Sequence, residues 1–382
     1  MGVTVNLPRM RPLSARKSAI LSVLDVGTTK IVCLIARLDP IEPGQPSRGR
    51  THGCRILGIG HQRSRGMKAG QVVDMEEAET AIRLAVDAAE RMAGVQVDSI
   101  IVCASGGRIS SQHFQAKVAV GDRSVGEPDI HRVLEATCAR SARDGRAVLH
   151  SLPTSFSVDG AENIRDPKGM IGDELAAHLH VVSTDAAAVR NLGLAVERCH
   201  LTVEAFVASP YASALATIGD DEAEIGATVI DFGGGSTSIA VFAGGALIHM
   251  DCVAVGGNHV TLDVARGLNV RLNGAERLKT LYGSAILAPT DERETIAIEH
   301  VGDDAGQTTH LPRSQLVRII RPRVEEIVEL VRDRLRAQGR PLHAGSRVVL
   351  TGGASQLTGL PETVRRIAGG QVRIGRPVGV QG

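Results

Sequence analysis

Two stretches of the chain share one order of apolar and polar positions. Residues 20–38 and 227–245 each contain an apolar strand, an Asp-x-Gly turn with small hydroxyl residues, and a second apolar strand. The acidic residues of the two turns, Asp25 and Asp231, are separated by roughly half of the chain. A local pattern that is repeated once at this distance predicts two similar domains that face each other.

The rest of the pattern alternates strand-like and helix-like segments. Residues 75–93 carry acidic residues at the start and apolar residues at helical spacing, which predicts a helix. Residues 105–181 have the order strand, helix, strand, turn, strand, which predicts a compact inserted α+β subdomain. A long amphipathic helix is predicted at residues 314–339, where Pro322 is expected to start or kink the main segment.

Both Asp-x-Gly turns contain groups that suit phosphate. Glycine lets a turn approach an anion closely, and successive N–H groups form anion-binding concavities. The candidate phosphate contacts are Gly27, Thr28, Thr29 and Lys30 in the first turn, and Gly233, Gly234, Gly235, Ser236 and Thr237 in the second. An aspartate repels phosphate but binds Mg²⁺, so we interpret Asp25 and Asp231 as metal-side residues that act directly or through water. A single turn of this kind is typical of a plain hairpin, whereas the matched pair favours phosphate.

Other glycine-containing segments supply candidate contacts for the rest of a nucleotide. The strand-like residues 347–351 lead into a Gly-Gly-Ala turn, which leaves room for a flat adenosine. A second glycine pair follows the apolar run at 252–255, and an acid and a lysine three positions apart share a predicted helical face. These candidates are Gly352, Gly353, Ala354, Gly256, Gly257, Asn258, Glu276 and Lys279. Taken alone, Glu276 and Lys279 favour a solvated ion pair.

Composition excludes several classes of protein. The formal net charge is +1 and aromatic residues make up 2% with no Trp, which argues against nucleic-acid binding. The six cysteines are widely spaced without a CxxC pair, which indicates reduced thiols in the cytoplasm. No apolar run is long enough to cross a bilayer, and there is no GxxxxGK[ST], HExxH, GxGxxG or GxSxG motif. Asp291 is predicted to be a surface residue, and His150 and His180 core or surface residues.

The repeated hairpins and the strand-Gly-Gly-helix turn resemble the phosphate and adenosine motifs of the actin/Hsp70/sugar-kinase superfamily. Within it, the chain resembles the bacterial cell-division protein FtsA family, most specifically at residues 64–82, 90–107, 208–241 and 255–285. The resemblance implies a two-lobed α/β fold of the actin-like ATPase type. Each lobe has a mixed β-sheet with flanking helices, and the first lobe contains an inserted α+β subdomain.

The resemblance also implies domain boundaries and site residues. The expected units are a disordered basic tail at 1–18, a first-lobe core at 19–104 and 182–224, an inserted subdomain at 105–181, a second-lobe core at 225–257 and 346–382, and a second-lobe outer subdomain at 258–345. Phosphate contacts fall on the two turns, adenine and ribose contacts on Glu276 and Lys279, and the adenosine loop on Gly352–Ala354. ATP and Mg²⁺ are the implied ligands.

The function implied by the resemblance is that of a division scaffold. Members of the family polymerise at the inner face of the cytoplasmic membrane, tether the FtsZ ring and recruit later septum proteins. The FtsZ surface is expected in the outer subdomain and the later proteins on the inserted one. Charged residues of the long helix are candidates for FtsZ contact, with a solvated helix face as the alternative: Arg321, Arg323, Glu325 and Glu326.

Two features depart from the family pattern. Hydrolysing relatives place a Gln or Glu where this chain has Ser209, Pro210 and Tyr211, so at most slow ATPase activity is expected. Glu204 is the nearest acid. The family ends in a linker and an amphipathic membrane helix that these residues do not contain, so membrane attachment is implied by the family alone. The alternatives are a pilus-assembly actin-like protein, a small-molecule kinase of the superfamily and an Hsp70-type chaperone.

Overall fold

The computed structural model describes most of the chain, namely residues 7–10, 12–41, 51–106, 108–302 and 308–381. The strands are β1 (Ala19–Val26), β2 (Lys30–Pro40), β3 (His52–Arg63), β4 (Met67–Lys68), β5 (Gln71–Val72), β6 (Ser99–Ala104), β7 (Ser110–Ser124), β8 (Arg146–Val158), β9 (Ala161–Ile164), β10 (Ile171–Asp185), β11 (Thr202–Ala208), β12 (Ala227–Phe232), β13 (Thr237–Ala243), β14 (Ala246–Val253), β15 (Thr295–Ile298), β16 (Thr309–Pro312), β17 (Arg347–Thr351), β18 (Gln371–Ile374) and β19 (Val380–Gln381).

Helices connect these strands and cover the faces of their sheets. The α-helices are α1 (Met75–Ala93), α2 (Glu127–Ser141), α3 (Ala186–Glu197), α4 (Ser209–Thr217), α5 (Asp220–Ile225), α6 (Gly257–Gly267), α7 (Leu272–Tyr282), α8 (Arg313–Ala337) and α9 (Leu360–Ile367). Short 3-10 helices lie at Pro289–Glu292 and Gly353–Gln356.

The first lobe is built on a six-stranded sheet with the order β11-β6-β1-β2-β3-β19. Strand β1 lies in the middle, antiparallel to β2 and parallel to β6. Buried apolar residues of these strands, including Leu24, Ile35 and Ile100, form one hydrophobic core with α1 and α3. The apolar residues of the first hairpin therefore recur along its strands because they pack into this core, as the sequence pattern predicted.

Helix α1 is confirmed and lies directly on strand β3. A Cβ atom on Gly60 would come within 1.7 Å of the carbonyl oxygen of Ala85, so only glycine permits this approach. The helix begins after Asp74, whose carboxylate accepts a hydrogen bond of 3.0 Å from the N–H of Glu77.

The inserted subdomain has its own sheet and core. Its strands follow the order β7-β10-β8-β9 with antiparallel pairing, and α2 packs on β7 and β10. The predicted order of elements is confirmed, with the short strand β9 added within the predicted turn. Val133 of α2, Phe156 of β8 and Leu175 of β10 belong to the core.

The second lobe repeats the arrangement of the first. Its sheet has the order β14-β13-β12-β17-β18, with β12 antiparallel to β13 and parallel to β17. Helices α6, α7 and α8 and the two-stranded sheet β15-β16 form the outer part. Ile230 of the sheet and Val264 and Leu316 of the outer helices share one core, so the outer part is continuous with the sheet.

Helix α8 contains Pro322 in its interior. The helix begins at Arg313, so Pro322 does not start the main segment. Because proline has no N–H, the carbonyl of Arg318 lacks its usual helical donor. Burial of one apolar face, including Val324 and Val331, compensates for this loss.

The two chain ends depart from the expected domain units. The predicted tail at 1–18 lies partly outside the described residues, and within them Leu7 packs against the first-lobe core. Strand β19 pairs in parallel with β3, so residues 380–381 join the first-lobe sheet and not the second-lobe core expected at 346–382. The outer edge of β3 offers unpaired backbone groups, which explains the pairing.

A fourth core joins all three units. It includes Ile109 of the insert, Ala214 of α4, and Val229 and Met250 of the second lobe. Ser111 of the insert also donates its hydroxyl to the Met250 carbonyl at 3.0 Å and accepts the Met250 N–H at 2.7 Å. Among the described residues, no helix combines the length and the apolar content needed to cross a membrane.

Candidate functional site

The two Asp-x-Gly turns have matching backbone geometry. The N–H of Gly27 donates to the carbonyl of Lys30 at 3.0 Å, and the N–H of Gly233 donates to the carbonyl of Ser236 at the same distance. In both hairpins the aspartate lies two positions before the first residue of the turn, near the end of a central strand. The repeated hairpin that the sequence predicts is therefore confirmed.

The two turns, one from each lobe, lie against each other. A Cβ atom on Gly234 would lie 2.4 Å from the Thr29 methyl carbon, and one on Gly235 would lie 2.5 Å from Thr28 Oγ1. Glycine is required here because the threonines of the first lobe already fill the space for a side chain. Residues from both turns therefore contribute to one site.

The aspartates of the two turns are partly buried, and they lie close enough for the charge of Asp231 to act on Asp25. Burial raises the pKa of Asp25, and the charge of Asp231 raises this pKa further. Burial likewise raises the pKa of Asp231, while Lys30 acts in the opposite direction on both carboxyls. Two partly buried carboxylates, of which one raises the pKa of the other, form a site that favours a cation.

Helix α4 supplies a hydroxyl to each aspartate. Ser213 Oγ donates to Asp231 Oδ2 at 2.7 Å, and Ser209 Oγ lies 3.4 Å from Asp25 Oδ1. Ser213 was not among the residues predicted from the sequence. Its position four residues after Ser209, on the same face of one helix, is the signal that identifies it.

The carboxylate pair fits Mg²⁺ better than it fits a metal held entirely by protein. Across the described ranges, no group of three or more His, Cys, Asp or Glu residues is arranged to hold a metal ion. Mg²⁺ is commonly bound through one or two carboxylates together with water and phosphate oxygens. The donor set at the two turns meets this requirement.

The start of helix α6 supports the second turn. The N–H groups of Gly257 and Asn258 donate to the carbonyls of Gly233 and Gly234 at 2.9 and 2.8 Å. The N–H of Gly256 lies 3.2 Å from a ring nitrogen of His259. These three candidate residues thus adjoin the second turn, and the N–H groups of Gly257 and Asn258 hold its conformation.

The Gly352–Ala354 turn adjoins the same site. Gly352 has φ of +86°, and a Cβ atom on it would lie 2.3 Å from Asp231 Oδ1. A Cβ atom on Gly353 would meet nothing within 4 Å. Ala354 comes within 3.0 Å of where a Cβ atom on Gly257 would stand. The structure therefore brings the third glycine segment beside the second turn.

Glu276 and Lys279 lie on α7 and contact α6. Lys279 Nζ donates to Glu276 at 2.7 Å, to Thr261 Oγ1 at 2.8 Å and to the carbonyl of Gly257 at 3.2 Å. The two residues form the ion pair considered from the sequence, and this pair is joined to the glycine segment. Thr261 was missed because a single threonine within a helix gives no local signal.

Two acidic residues lie outside this cluster. Glu204 accepts a hydrogen bond from Ser99, at the end of β6 opposite to the site. Asp291 was predicted to be a surface residue, and this prediction is wrong. Asp291 is 1% exposed. Its carboxylate pairs with Arg313 at 2.9 Å and accepts the N–H of Ala288 at the start of a 3-10 helix, and these two contacts allow the charge to be buried.

Family models match two parts of the chain. One described as cell division protein FtsA matches residues 228–381, and one described as the SHS2 domain inserted in FtsA matches residues 106–183.

Several curated proteins match almost the whole chain. The cell division protein FtsA of Agrobacterium fabrum is 53% identical over 377 residues, which cover 98% of this chain and 85% of that protein. The protein of the same name from Pseudomonas aeruginosa is 36% identical, with 94% and 83% covered. The one from Escherichia coli strain K12 is 33% identical, with 94% and 84% covered.

Solved structures with low sequence identity share the fold. The PilM-PilN type IV pilus biogenesis complex matches with a TM-score of 0.63 at 15% identity, covering 94% of this chain and 90% of that chain. MreB5 of Spiroplasma citri bound to ADP matches with a TM-score of 0.54 at 13% identity, covering 95% and 93%. The two-lobed actin-like fold with an inserted subdomain is confirmed, and the chain belongs to the cell division protein FtsA family.

Proposed function

We propose that this protein binds ATP with Mg²⁺ between its two lobes and acts as a polymer-forming scaffold of the division septum. In this role it lies at the inner face of the cytoplasmic membrane, tethers the FtsZ ring and recruits later septum proteins. The observation that carries the nucleotide part is the contact between two matched turns, each with a partly buried aspartate at its base. Membership of the FtsA family supports the division part.

Each part of the site has a distinct role in this proposal. Hydroxyl groups and free N–H groups of the two turns hold the phosphates, and Lys30 adds a positive charge. Asp25 and Asp231 hold the cation, which offsets the phosphate charge when bound. The turn at Gly352 and the α7 pair lie beside adenosine. MreB5 of Spiroplasma citri, which shares the fold, has been solved bound to ADP and to AMPPNP.

The surroundings of the aspartates favour slow hydrolysis. Ser209 directs its hydroxyl toward Asp25, so it is not a free proton acceptor. The Tyr211 ring packs between His150 and Phe242, at centroid distances of 5.0 and 6.3 Å. Burial raises the pKa of Tyr211, which keeps the phenol neutral. Because neither residue is a suitable general base, the nucleotide would act mainly to set conformation.

The outer subdomain offers an apolar surface for a partner. The charged candidates on α8 are paired within the protein: Arg321 with Glu325 at 2.8 Å, and Arg323 with Asp263 at 2.6 Å. Exposed apolar residues instead cluster at the end of α7 and in the segment after it. They are Leu281, Tyr282, Ile286 and Leu287. We therefore place the FtsZ contact on this apolar cluster.

Calorimetric titration with ATP, in Mg²⁺ and in EDTA, tests the nucleotide part. The unchanged protein is expected to bind more tightly in Mg²⁺. The ratio of the ATP affinity in Mg²⁺ to that in EDTA is the Mg²⁺-dependent gain. Asp25→Asn and Asp231→Asn are each expected to reduce this gain at least about tenfold, because each removes a cation ligand. Asp144→Asn, an exposed control in the insert, should retain the gain. Failure of the unchanged protein to bind nucleotide would refute the proposal.

Co-sedimentation with FtsZ polymers tests the partner. Leu281→Ser is expected to reduce the pelleted fraction, because Leu281 is 58% exposed within the apolar cluster. The matched control is Leu194→Ser on α3, where the leucine is 43% exposed on the first lobe. Equal binding by both variants would place the contact elsewhere, and no binding by the unchanged protein would contradict the FtsZ role.

A further inference from the structure

Helix α4 is the element that touches both aspartates of the site. It packs against β6 and β11 of the first lobe and against β12, β13 and β17 of the second. Ala214, in its middle, is fully buried in the core shared by the lobes and the insert. Because α4 packs against both lobes, it can fix the distance between them.

Two serines on one face of α4 reach the two carboxylates. Ser213 donates to Asp231 of the second lobe at 2.7 Å, and Ser209, one turn earlier, lies 3.4 Å from Asp25 of the first. Pro210 lies in the first turn of the helix, where its fixed φ favours the helical start. The positions of the serines are thus set by a short, well-anchored helix.

We propose that Ser213, assisted by Ser209, is a positioning residue that fixes both metal-side carboxylates relative to helix α4. The spacing of the lobes and the affinity of the site for a divalent cation are then set together. This inference rests on the proposed nucleotide function and adds the residues that regulate its metal dependence. Ser213 itself does not contact the cation, since it acts through Asp231.

The chemistry of the contacts supports this role. A hydroxyl that donates to a carboxylate orients it and stabilises its charged form. The hydrogen bond from Ser213 opposes the effect of burial on the pKa of Asp231, and Ser209 acts in the same direction on Asp25. Loss of a residue that orients a metal ligand commonly weakens metal binding by about 10-fold or more.

Nucleotide binding in Mg²⁺ and in EDTA, measured from pH 5 to pH 8, tests the inference. Ser213→Ala is expected to lose about tenfold of the Mg²⁺-dependent gain, with the remaining gain shifted to higher pH. Ser213→Thr keeps the hydroxyl and should restore the gain. Ser209→Ala should show a smaller loss because its contact is longer.

Thr217→Val is the matched control on the same helix. Thr217 Oγ1 donates to the carbonyl of Ser213 at 2.8 Å and touches neither aspartate, so its loss is expected to affect stability alone. A loss in Ser213→Ala that is equal with and without Mg²⁺ would indicate a merely structural role and overturn the inference. The same conclusion follows if Ser213→Ala and Thr217→Val have the same pH profile.

A measurement without nucleotide separates this inference from the proposed function. The binding of Mn²⁺ to the nucleotide-free protein is followed by the EPR signal of the free ion. Ser213→Ala is expected to weaken this binding by about tenfold, and Thr217→Val is expected to leave it unchanged. Unchanged Mn²⁺ binding in Ser213→Ala would overturn the positioning role even if ATP binds, whereas weakened Mn²⁺ binding without any ATP binding would refute only the nucleotide function.

Discussion

At the scale of single residues, the two aspartates of the site are expected to lower the stability of the protein without its ligands. Asp25 and Asp231 lie close together and are partly buried, and loss of contact with water is the largest cause that raises the pKa of each. A charge in such a place destabilises the fold unless a cation offsets it. The protein keeps both residues, which is expected where function requires a cation.

Replacing one carboxylate is therefore predicted to stabilise the ligand-free protein. Because the folded pKa of Asp231 is raised, the carboxyl group favours folding below its unfolded pKa and loses this contribution as pH rises through the folded value. Asp231→Asn should thus unfold at a higher temperature than the unchanged protein at pH 8, with little difference near pH 4. Each unit of raised pKa corresponds to about 1.4 kcal/mol.

Thermal unfolding at a series of pH values, without nucleotide or Mg²⁺, provides the measurement. The exposed control Asp144→Asn should follow the unchanged protein throughout. A destabilised Asp231→Asn at pH 8 would contradict the account of the buried pair.

The adjacent residues Gly352 and Gly353 are predicted to differ in their tolerance of a side chain. Gly352→Ala is predicted to lower the free energy of unfolding by at least about 1–3 kcal/mol, because φ is +86° and the new methyl would meet Asp231 Oδ1. Gly353→Ala should change it by less than about 0.5 kcal/mol, since its Cβ atom would meet nothing within 4 Å. Chemical denaturation measures both, and equal effects would be inconsistent with this geometry.

At the scale of elements, sequence patterns correctly predicted those helices and strands that depend on local interactions. The two hairpins, α1 and the elements of the insert follow from apolar spacing and turn residues, and the structure contains each of them. The contact of α4 with both aspartates was not predictable in the same way. It depends on the packing of α4 against strands that are distant in sequence. The spacing of Ser209 and Ser213 places both on one helix face, but it does not show what that face contacts.

The interior proline of α8 gives a prediction at this scale. Pro322→Ala restores a donor to the carbonyl of Arg318 at an exposed position, so it should stabilise the protein by about 1–3 kcal/mol. Denaturant unfolding measures the change. Glu329→Ala, also exposed on α8, is the control and should stay within about 0.5 kcal/mol. A destabilised Pro322→Ala would mean that the helix depends on the local distortion.

At the scale of the whole molecule, the insert is bound to the second lobe as well as to the first. His113 of β7 contacts the carbonyl of Ile248 in β14 at 2.8 Å, and the His180 ring lies 4.9 Å from that of His113. His180 is fully buried, and neither ring nitrogen has a hydrogen-bond partner among the residues that the structure describes. Of the two predicted alternatives, core and surface, His180 occupies the core, and its place between the units could not be derived from sequence.

These histidines predict sensitivity to acid. Burial lowers the pKa of His180 to about 3 and that of His150 to about 4. The unfolded chain therefore binds protons first, so stability is complete above about pH 6.5 and falls as pH decreases toward these values. Each histidine contributes up to about 1.4 kcal/mol per pH unit in this window.

Denaturant unfolding from pH 7.5 to pH 4.5 measures this dependence. His180→Leu should show a shallower decline than the unchanged protein. His131→Gln, where the histidine side chain is 75% exposed, should keep the original slope. A slope that His180→Leu leaves unchanged would contradict the role assigned to this buried ring.

The central claim is that two matched turns, one from each lobe, hold a single nucleotide and its cation. The most direct measurement is a crystal structure with an ATP analogue and Mn²⁺ in place of Mg²⁺, in which anomalous scattering locates the metal. We predict one anomalous peak between the carboxylates of Asp25 and Asp231, with phosphates in contact with both turns. A peak elsewhere, or phosphates bound to only one turn, would contradict the account.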